Sequence, residues 1–394
     1  MSEEFGRSTD AVPSAKNEKT ATQKYACPAC GGEQMWHAGK LKLICAFCGT
    51  ESDKPLPSTA EPGAVVEHDL MQALMHEDNS SWQAAKRSIK CQSCQAVSVF
   101  EQQRQSQSCD FCGSTALVPY EEKNDSIRPE SVLPFQVSES KARELIHSWY
   151  GKIWFAPNAL KKRALTDTVK GVYLPYWTFD AYVNAQWTAE AGHYYTETVY
   201  QNGEAKQVQR VRWEYAAGNW SGFYDDELVC GSRGIHASLL KAIEPFPTQK
   251  LAKVYDPAFL SGWTVERYQI NLPEAAKLGR DQMQNKTESQ CAAQVPGDTY
   301  RNLQVQARFS RQTYKHTLAP VWLLNYHYGV KSYQVLINGH SGKIDGEHPI
   351  SWVKVFFLTL AIVLVLGMLM NLSNKNDKGS KHRRADAQPA HLIV

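Results

Sequence analysis

Apolar and polar residues alternate in several stretches between residues 171 and 339, in segments rich in Val, Tyr, Trp and Thr. Alternation with a period of two is typical of β-strands that have one buried face. The pattern predicts strands in GVYLPYWTFDAYVNAQW, TVYQNGEAKQVQRVRWEYAAG, NLQVQARFS and VWLLNYHYGVKSYQVLING. We expect the turn sequences at residues 201–203 and 338–342 to join strands as hairpins.

Two segments show helical spacing instead. SESKARELIHSWYG has acidic residues near its start and apolar residues at Ala142, Leu145, Ile146 and Trp149, which is typical of an amphipathic helix. PEAAKLGRDQMQNK begins with Pro273, a residue that suits the first turn of a helix. Together with the strands, these helices predict an α+β domain rich in antiparallel strands over residues 131–350.

A continuous apolar segment, WVKVFFLTLAIVLVLGMLMNL, occupies residues 352–372. Residues 355–370 carry no charge, and the whole segment approaches the roughly 20 residues that a membrane-spanning helix needs. The alternative is a buried helix of a soluble domain, but such a helix would normally show a polar face. We therefore expect a single C-terminal transmembrane helix.

The cysteines are grouped in a way that indicates metal binding. Eight of the ten fall into four Cys-x-x-Cys pairs, and the arrangement of two pairs separated by fourteen residues occurs twice, 64 residues apart. Cysteines this close together are better placed to chelate a metal than to bridge distant loops. The predicted ligands are Cys27, Cys30, Cys45 and Cys48 in one site, and Cys91, Cys94, Cys109 and Cys112 in the other.

Four thiolates in tetrahedral geometry suit zinc, so we expect two small β zinc ribbons, each holding one structural Zn ion. Rubredoxin-like iron remains the alternative metal. Glycine follows the second cysteine in three of the four turns, whereas Gln95 stands there in the fourth and should weaken that turn. Because protein fills all four ligand positions, the sites are expected to be structural rather than catalytic.

The net charge and the missing motifs narrow the range of possible functions. The 394 residues carry a net charge of +3, and no domain is strongly basic. The chain contains no Gly-x-x-x-x-Gly-Lys-Ser/Thr loop, no His-Glu-x-x-His and no Gly-x-Ser-x-Gly. We therefore expect a protein that is not an enzyme. Only four ribbon aromatics are candidates for stacking on nucleic acid bases, namely Trp36, Phe47, Phe100 and Phe111.

The predicted organisation along the chain has eight segments. They are a disordered arm (1–24), zinc ribbon 1 (25–52), a linker with a short helix (53–87), zinc ribbon 2 (88–116), a linker (117–130), the α+β domain (131–350), the transmembrane helix (352–372) and a basic tail (373–394). The N-terminal residues lack the apolar core of a signal peptide, which favours a reducing cytosol for the thiolates.

The chain resembles a bacterial family of membrane-anchored zinc-ribbon proteins, whose members are often labelled as transcription-factor-IIB-type zinc ribbon or primosomal-helicase-like. The likeness rests on the cysteine blocks and on LPFQVSESKARELIHSWYGKIWFAPNALK, KGVYLPYWTFDAYV and APVWLLNYHYGVKSYQVLINGHSGKIDGEHP. The resemblance implies an inner-membrane protein with a cytosolic zinc-ribbon head, an adaptor for a flotillin-like or phage-shock-type membrane complex. It implies no catalytic residues.

Two functions follow from these features. The first is a membrane-anchored adaptor whose zinc ribbons bind a protein partner; the second is a membrane-tethered nucleic-acid-binding protein without helicase activity. The positive-inside rule places the basic tail in the cytosol, which conflicts with ribbons on the same side of a single span. We give the thiolates more weight and expect the bulk of the chain in the cytosol. A helix that dips into one leaflet would keep both ends inside.

Overall fold

The computed structural model describes residues 25–37, 40, 42–52, 65–75, 87–100, 108–120, 127–157, 169–201, 204–329 and 331–385. The predicted disordered arm lies outside these residues, as do most of the first linker and the last two residues of the turn at 201–203. The last nine residues of the predicted tail lie outside them too. The bounds of the eight predicted segments stay predictions.

Ribbon 1 is a small antiparallel meander of four strands in the order β1-β2-β3-β4. The strands are β1 (Tyr25–Ala26), β2 (Glu33–His37), β3 (Lys42–Cys45) and β4 (Glu51–Ser52). Trp36 on β2 pairs with Leu43 on β3, so both side chains lie on the same face of the meander. Both are buried, which shows that this face packs against the rest of the chain.

A large sheet forms the body of the protein. Its strands are β5 (His68–Asp69), β6 (Arg87–Cys91), β7 (Val97–Phe100), β8 (Leu117–Tyr120), β9 (Ser131–Val132), β10 (Lys170–Gln201), β11 (Glu204–Cys230), β12 (Lys253–Val254), β13 (Thr264–Glu266), β14 (Thr299–Tyr328), β15 (Lys331–Asn338) and β16 (Ile344–Gly346). Antiparallel pairing dominates, with β10 between β11 and β14. The predicted β-rich domain is therefore confirmed.

Three of these strands are far longer than the usual five or six residues. β10 has 32 residues, β11 has 27 and β14 has 30. At about 3.3 Å per residue, β10 extends over about 100 Å. β14 begins opposite Gly192, so residues 193–201 of β10 pair only with β11 and continue as a two-stranded hairpin.

The helices are α1 (Leu70–Met75), α2 (Glu139–Lys152), α3 (Ala237–Ile243), α4 (Thr248–Leu251), α5 (Leu272–Ala292) and α6 (Trp352–Ala385), with a 3-10 turn at Pro257–Leu260. Both helices predicted in the α+β domain are confirmed. Ser138 caps α2 by accepting a hydrogen bond from the Lys141 N–H, and Asn271 caps α5 by accepting one from Glu274. Pro273 lies in the first turn of α5.

The core runs along one face of the long strands. α5 covers alternate residues of β10, including Ala181, Val183, Ala185 and Trp187, while the intervening residues of β10 face away from it. On the helix side, Gly279 contacts the ring of Phe179, and the lack of a side chain there lets α5 lie close to the sheet. α5 therefore buries one face of β10 over this stretch.

The apolar C-terminal segment forms α6. Among the residues that the structure describes, it is the one helix long and apolar enough to cross a membrane. Its first 18 residues, 352–369, have a mean hydropathy of 2.4, and none of this stretch is buried. The helix continues to Ala385, beyond the predicted end at 372.

Candidate metal centres

The local backbone brings each Cys-x-x-Cys pair into a tight turn. In ribbon 1, the N–H of Gly31 donates to Cys27 O at 2.8 Å, and the N–H of Gly49 donates to Cys45 O at 3.0 Å. The same bonds form in ribbon 2, from Gln95 to Cys91 O and from Gly113 to Cys109 O. These turns point the two sulfurs of each pair towards the same spot.

The residue after the second cysteine adopts a left-handed conformation in all four turns. The φ angles are 72° at Gly31, 71° at Gly49, 74° at Gly113 and 66° at Gln95. Glycine adopts this conformation freely, whereas a residue with a side chain loses about 1 kcal/mol or more. Gln95 offsets part of this strain because its side-chain amide donates to Gln92 O at 2.8 Å.

All eight predicted ligands come together in two groups of four. In each group the sulfur atoms lie within 4.8 Å of one another. Close sulfur pairs are Cys27–Cys48 and Cys30–Cys45 at 3.5 Å, Cys91–Cys112 at 3.6 Å and Cys94–Cys109 at 3.7 Å. A tetrahedron with metal–sulfur bonds of 2.3 Å has sulfur–sulfur edges of about 3.8 Å. The donor set therefore fits a four-coordinate zinc ion, and the same four sulfurs suit iron.

Hydrogen bonds in and around the groups favour the thiolate form at several positions. Cys109 lowers the pKa of Cys112 to about 4, and the hydroxyl of Thr50 lowers the pKa of Cys48 to about 6. Thiolate is the form that binds metals. Each group therefore contains at least one cysteine whose lowered pKa favours the form that binds a metal ion.

Ribbon 2 is built into the large sheet. Its strand β7 pairs with β13, which in turn pairs with β10. The turn between Cys109 and Cys112 is inserted into the domain: Asp110 forms an ion pair with Lys170 and accepts a hydrogen bond from Thr264 at 3.1 Å. Phe111 is completely buried, and its carbonyl accepts a hydrogen bond from Gln334 at 2.7 Å. The second metal group therefore contributes to the domain core.

Ribbon 1 forms a sheet of its own, and its described strands do not pair with the large sheet. It contacts the core through the buried face that carries Trp36 and Leu43. Trp36 is 3% exposed and packs edge-on against Phe259, with ring centroids 4.9 Å apart. Its backbone N–H donates to Ser261 O at 3.2 Å, and the Ser261 hydroxyl donates to Gln34 O at 2.7 Å. The turn between Cys45 and Cys48 lies away from this contact, since both Cys48 and Phe47 are exposed.

A third cluster of charged groups, which the sequence did not predict, lies where the long strands bulge. We call Glu67, Asp180, Asp226 and Lys315 the lysine cluster. The Lys315 ammonium lies 2.6 Å from an Asp226 carboxylate oxygen and 2.9 Å from one of Glu67. The pairings of β10 with β11 and with β14 both shift register at Asp180, and Asp226 has a φ of 56°.

Burial shapes the protonation of the lysine cluster. Desolvation, reinforced by the neighbouring Glu67, raises the pKa of Asp180 to about 7. Burial alone would lower the pKa of Lys315, but the Asp226 carboxylate raises it above the ordinary value. The three carboxylates offer oxygens within 4.8 Å of one another. Lys315 already supplies the positive charge there, so we interpret the cluster as a partly buried ion-pair network with Glu67 at its exposed edge.

The raised pKa of Asp180 predicts a pH-dependent stability. Between pH 4 and pH 7 the folded protein holds a proton on Asp180 that the unfolded chain releases, so this group makes stability fall as pH rises. Asp180→Asn removes the ionisation and keeps an acceptor for the Asp226 N–H, which bonds Asp180 at 2.6 Å. As the pH rises from 5.5 to 8, the stability of the wild type should fall, and the variant should gain about 2 kcal/mol of stability relative to it. Urea unfolding at each pH measures the difference. Asp281→Asn, an exposed position on α5, is the control. An equal gain in both variants would contradict the prediction.

Comparisons with known proteins give one match. The chain is 25% identical over 232 residues to a protein of Bacillus subtilis (strain 168) described as "Uncharacterized protein YdjG". The match covers 58% of this chain and 66% of that protein, just under two thirds of its length. No family model matches, and no solved structure matches.

Proposed function

We propose that this protein is a membrane-anchored adaptor without enzymatic activity, and that ribbon 1 binds a protein partner. In this proposal α6 crosses the cytoplasmic membrane once, both ribbons hold zinc, and the bulk of the chain lies in the reducing cytosol. The resemblance to membrane-anchored zinc-ribbon proteins favours a partner in a flotillin-like or phage-shock-type membrane complex. A cysteine-reactive reagent that cannot cross membranes should leave the ribbons of intact cells unlabelled, and labelling would contradict the cytosolic orientation.

The observation that carries the proposal is the contrast between Phe47 and Phe111. Each is the third residue of a Cys-x-Phe-Cys-Gly turn in its ribbon. In ribbon 2, Phe111 is wholly buried in the large domain, whereas in ribbon 1 Phe47 is 80% exposed. The same structural position thus serves as an internal docking contact in one ribbon and stays available in the other.

The ring of Phe47 also packs against the other Cys-x-x-Cys turn of its ribbon. Its ring lies so close to Gly32 that a Cβ at that glycine would come within 2.6 Å of the ring edge. An exposed aromatic that is already ordered by a metal-bound turn loses little conformational entropy on binding. Rigid aromatics of this kind contribute much of the binding energy in protein interfaces.

Burial of the other aromatics favours this proposal over nucleic-acid binding. Of the four candidate stacking residues, Trp36 and Phe111 are buried in the chain's own core. The side chain of Phe100 lies outside the described residues. Among the described ribbon aromatics that were candidates, this leaves Phe47, and a single ring makes a poor platform for successive bases.

The test is affinity capture of the full chain from detergent-solubilised membranes. We expect a stoichiometric protein partner whose recovery falls by about tenfold or more with Phe47→Ala, a loss of about 1.4 kcal/mol or more. Tyr215→Ala, a comparably exposed aromatic on β11, is the matched control and should keep the partner. Recovery of no stoichiometric protein would contradict the proposal. Retention on DNA that falls steeply with salt would favour the nucleic-acid alternative.

A further inference from the structure

The loop after α2 is attached to the start of α6. The Ser351 N–H donates to Phe155 O at 2.8 Å. The Lys354 ammonium donates to Trp154 O at 2.9 Å and to Ala156 O at 2.7 Å. Three hydrogen bonds therefore fix residues 154–156 beside the first turn of the apolar helix.

Lys354 is central to this attachment. It is the third residue of a helix whose next sixteen residues carry no charge. An ammonium group at such a position must stay in a polar environment, and here two backbone carbonyls provide it. The ammonium group that borders the apolar stretch therefore holds residues 154–156 beside the start of the helix.

Large apolar side chains are exposed around this junction. Trp154 is 55% exposed and Trp352 78% exposed, and Phe155 and Ile350 are exposed as well. The rings of Trp154 and Phe155 pack edge to face, with centroids 4.9 Å apart. We call these four residues the aromatic collar. Water is a poor solvent for so many adjacent apolar groups, so an exposed patch of this kind marks an interaction surface.

We propose that the aromatic collar is a membrane-binding surface that seats the large domain on the bilayer. We assign the lipid interface as the binding partner of this surface because the collar is continuous with the apolar helix. Residues 352–369 span about 27 Å at 1.5 Å per residue, close to the thickness of the hydrocarbon core. If the helix fills that core, then Trp154, Phe155 and Trp352 lie at headgroup level, where aromatic residues are enriched.

The collar restricts how the domain moves. A domain joined to its anchor by a free linker can tilt in any direction, whereas a domain with a second contact beside the helix cannot. Residues 154–156 follow α2, which packs through Ala142, Ile146 and Tyr150 into the core. The bilayer contact is therefore transmitted to the body of the sheet, and the large domain keeps one face towards the membrane.

The test is photocrosslinking of the full chain in phospholipid vesicles. It rests on the proposed membrane anchoring, so a separate position reports on each. Benzoylphenylalanine replaces Phe155 in the collar, Val363 in the middle of the apolar stretch, or Tyr215 on β11 as the control. We expect lipid adducts at positions 155 and 363 and none at 215.

Each outcome has a distinct meaning. Adducts at 363 without adducts at 155 would overturn the collar and leave the membrane anchor intact. No adducts at 363 would overturn the anchor and, with it, the collar. Lys354→Met provides a second reading: it should reduce the adducts at 155 and leave those at 363 unchanged. Equal adducts at 155 with and without Lys354 would overturn the role of the lysine in holding the collar.

Discussion

Replacing Cys94 with serine is expected to remove one metal ion and to unfold the large domain together with ribbon 2. Serine is a poor zinc ligand, and a structural zinc site contributes about 10 kcal/mol or more to folding. That is comparable with the whole stability of an ordinary domain. Because Phe111 and the strand β7 are part of the core, the loss should spread into the sheet. The measurements are metal content by mass spectrometry and limited trypsin digestion.

The matched control is Cys30→Ser, the corresponding ligand of ribbon 1. It should also remove one metal ion, but the described strands of ribbon 1 form a separate sheet that contacts the core through Trp36 and Leu43 and does not pair with the large sheet. Residues 131–350 should therefore stay resistant to trypsin. Equal sensitivity of the two variants would show that ribbon 2 does not have the greater structural role. A full metal content in either variant would contradict the ligand assignment.

Lys315→Met is expected to destabilise the protein by about 3 to 5 kcal/mol, which is the cost of leaving a buried charge without its partner. The Lys315 side chain is 6% exposed and that of Asp226 is 1% exposed. Methionine fills much of the same volume, so the effect comes from the carboxylates rather than from a cavity. The free energy of unfolding in urea measures it.

Two further variants test whether the unpaired carboxylate causes this loss of stability. Lys141→Met breaks an exposed ion pair with Glu144 and should change stability by less than about 1 kcal/mol. Adding Asp226→Asn to Lys315→Met removes the unpaired charge and should recover a large part of the loss. A double variant no more stable than the single one would point to packing instead of charge.

The metal groups could be predicted from the sequence because their geometry is local. A Cys-x-x-Cys pair forms its turn whatever the surrounding fold, and the repeat of the spacing identifies both groups. What the spacing could not tell is where the ribbons lie. Pairing of β7 with β13 joins residues more than 160 positions apart, Val99 and Val265, through backbone hydrogen bonds that carry no sequence signal.

The lengths of the strands could also not be predicted from the sequence. Alternation indicated strands in the right places, but the predicted segments leave out residues 188–197 of β10 and 219–230 of β11. Asp180, which lies inside a predicted segment, and the Asp225-Asp226 pair mark the bulges at the lysine cluster. Charged residues in the middle of an otherwise apolar strand were the available signal, but their partners Glu67 and Lys315 lie 248 positions apart.

The pairing of β7 with β13 also affects the order of events during synthesis. Ribbon 2 leaves the ribosome with its metal ligands complete. Val265, the β13 partner of Val99, is not synthesised until 166 residues later. At 5 to 20 residues per second, the edge of β7 stays unpaired for roughly 10 to 30 s. An unpaired strand edge can pair with a strand of another chain. Early metal binding would keep the ribbon compact during this interval and would then protect the nascent protein from aggregation.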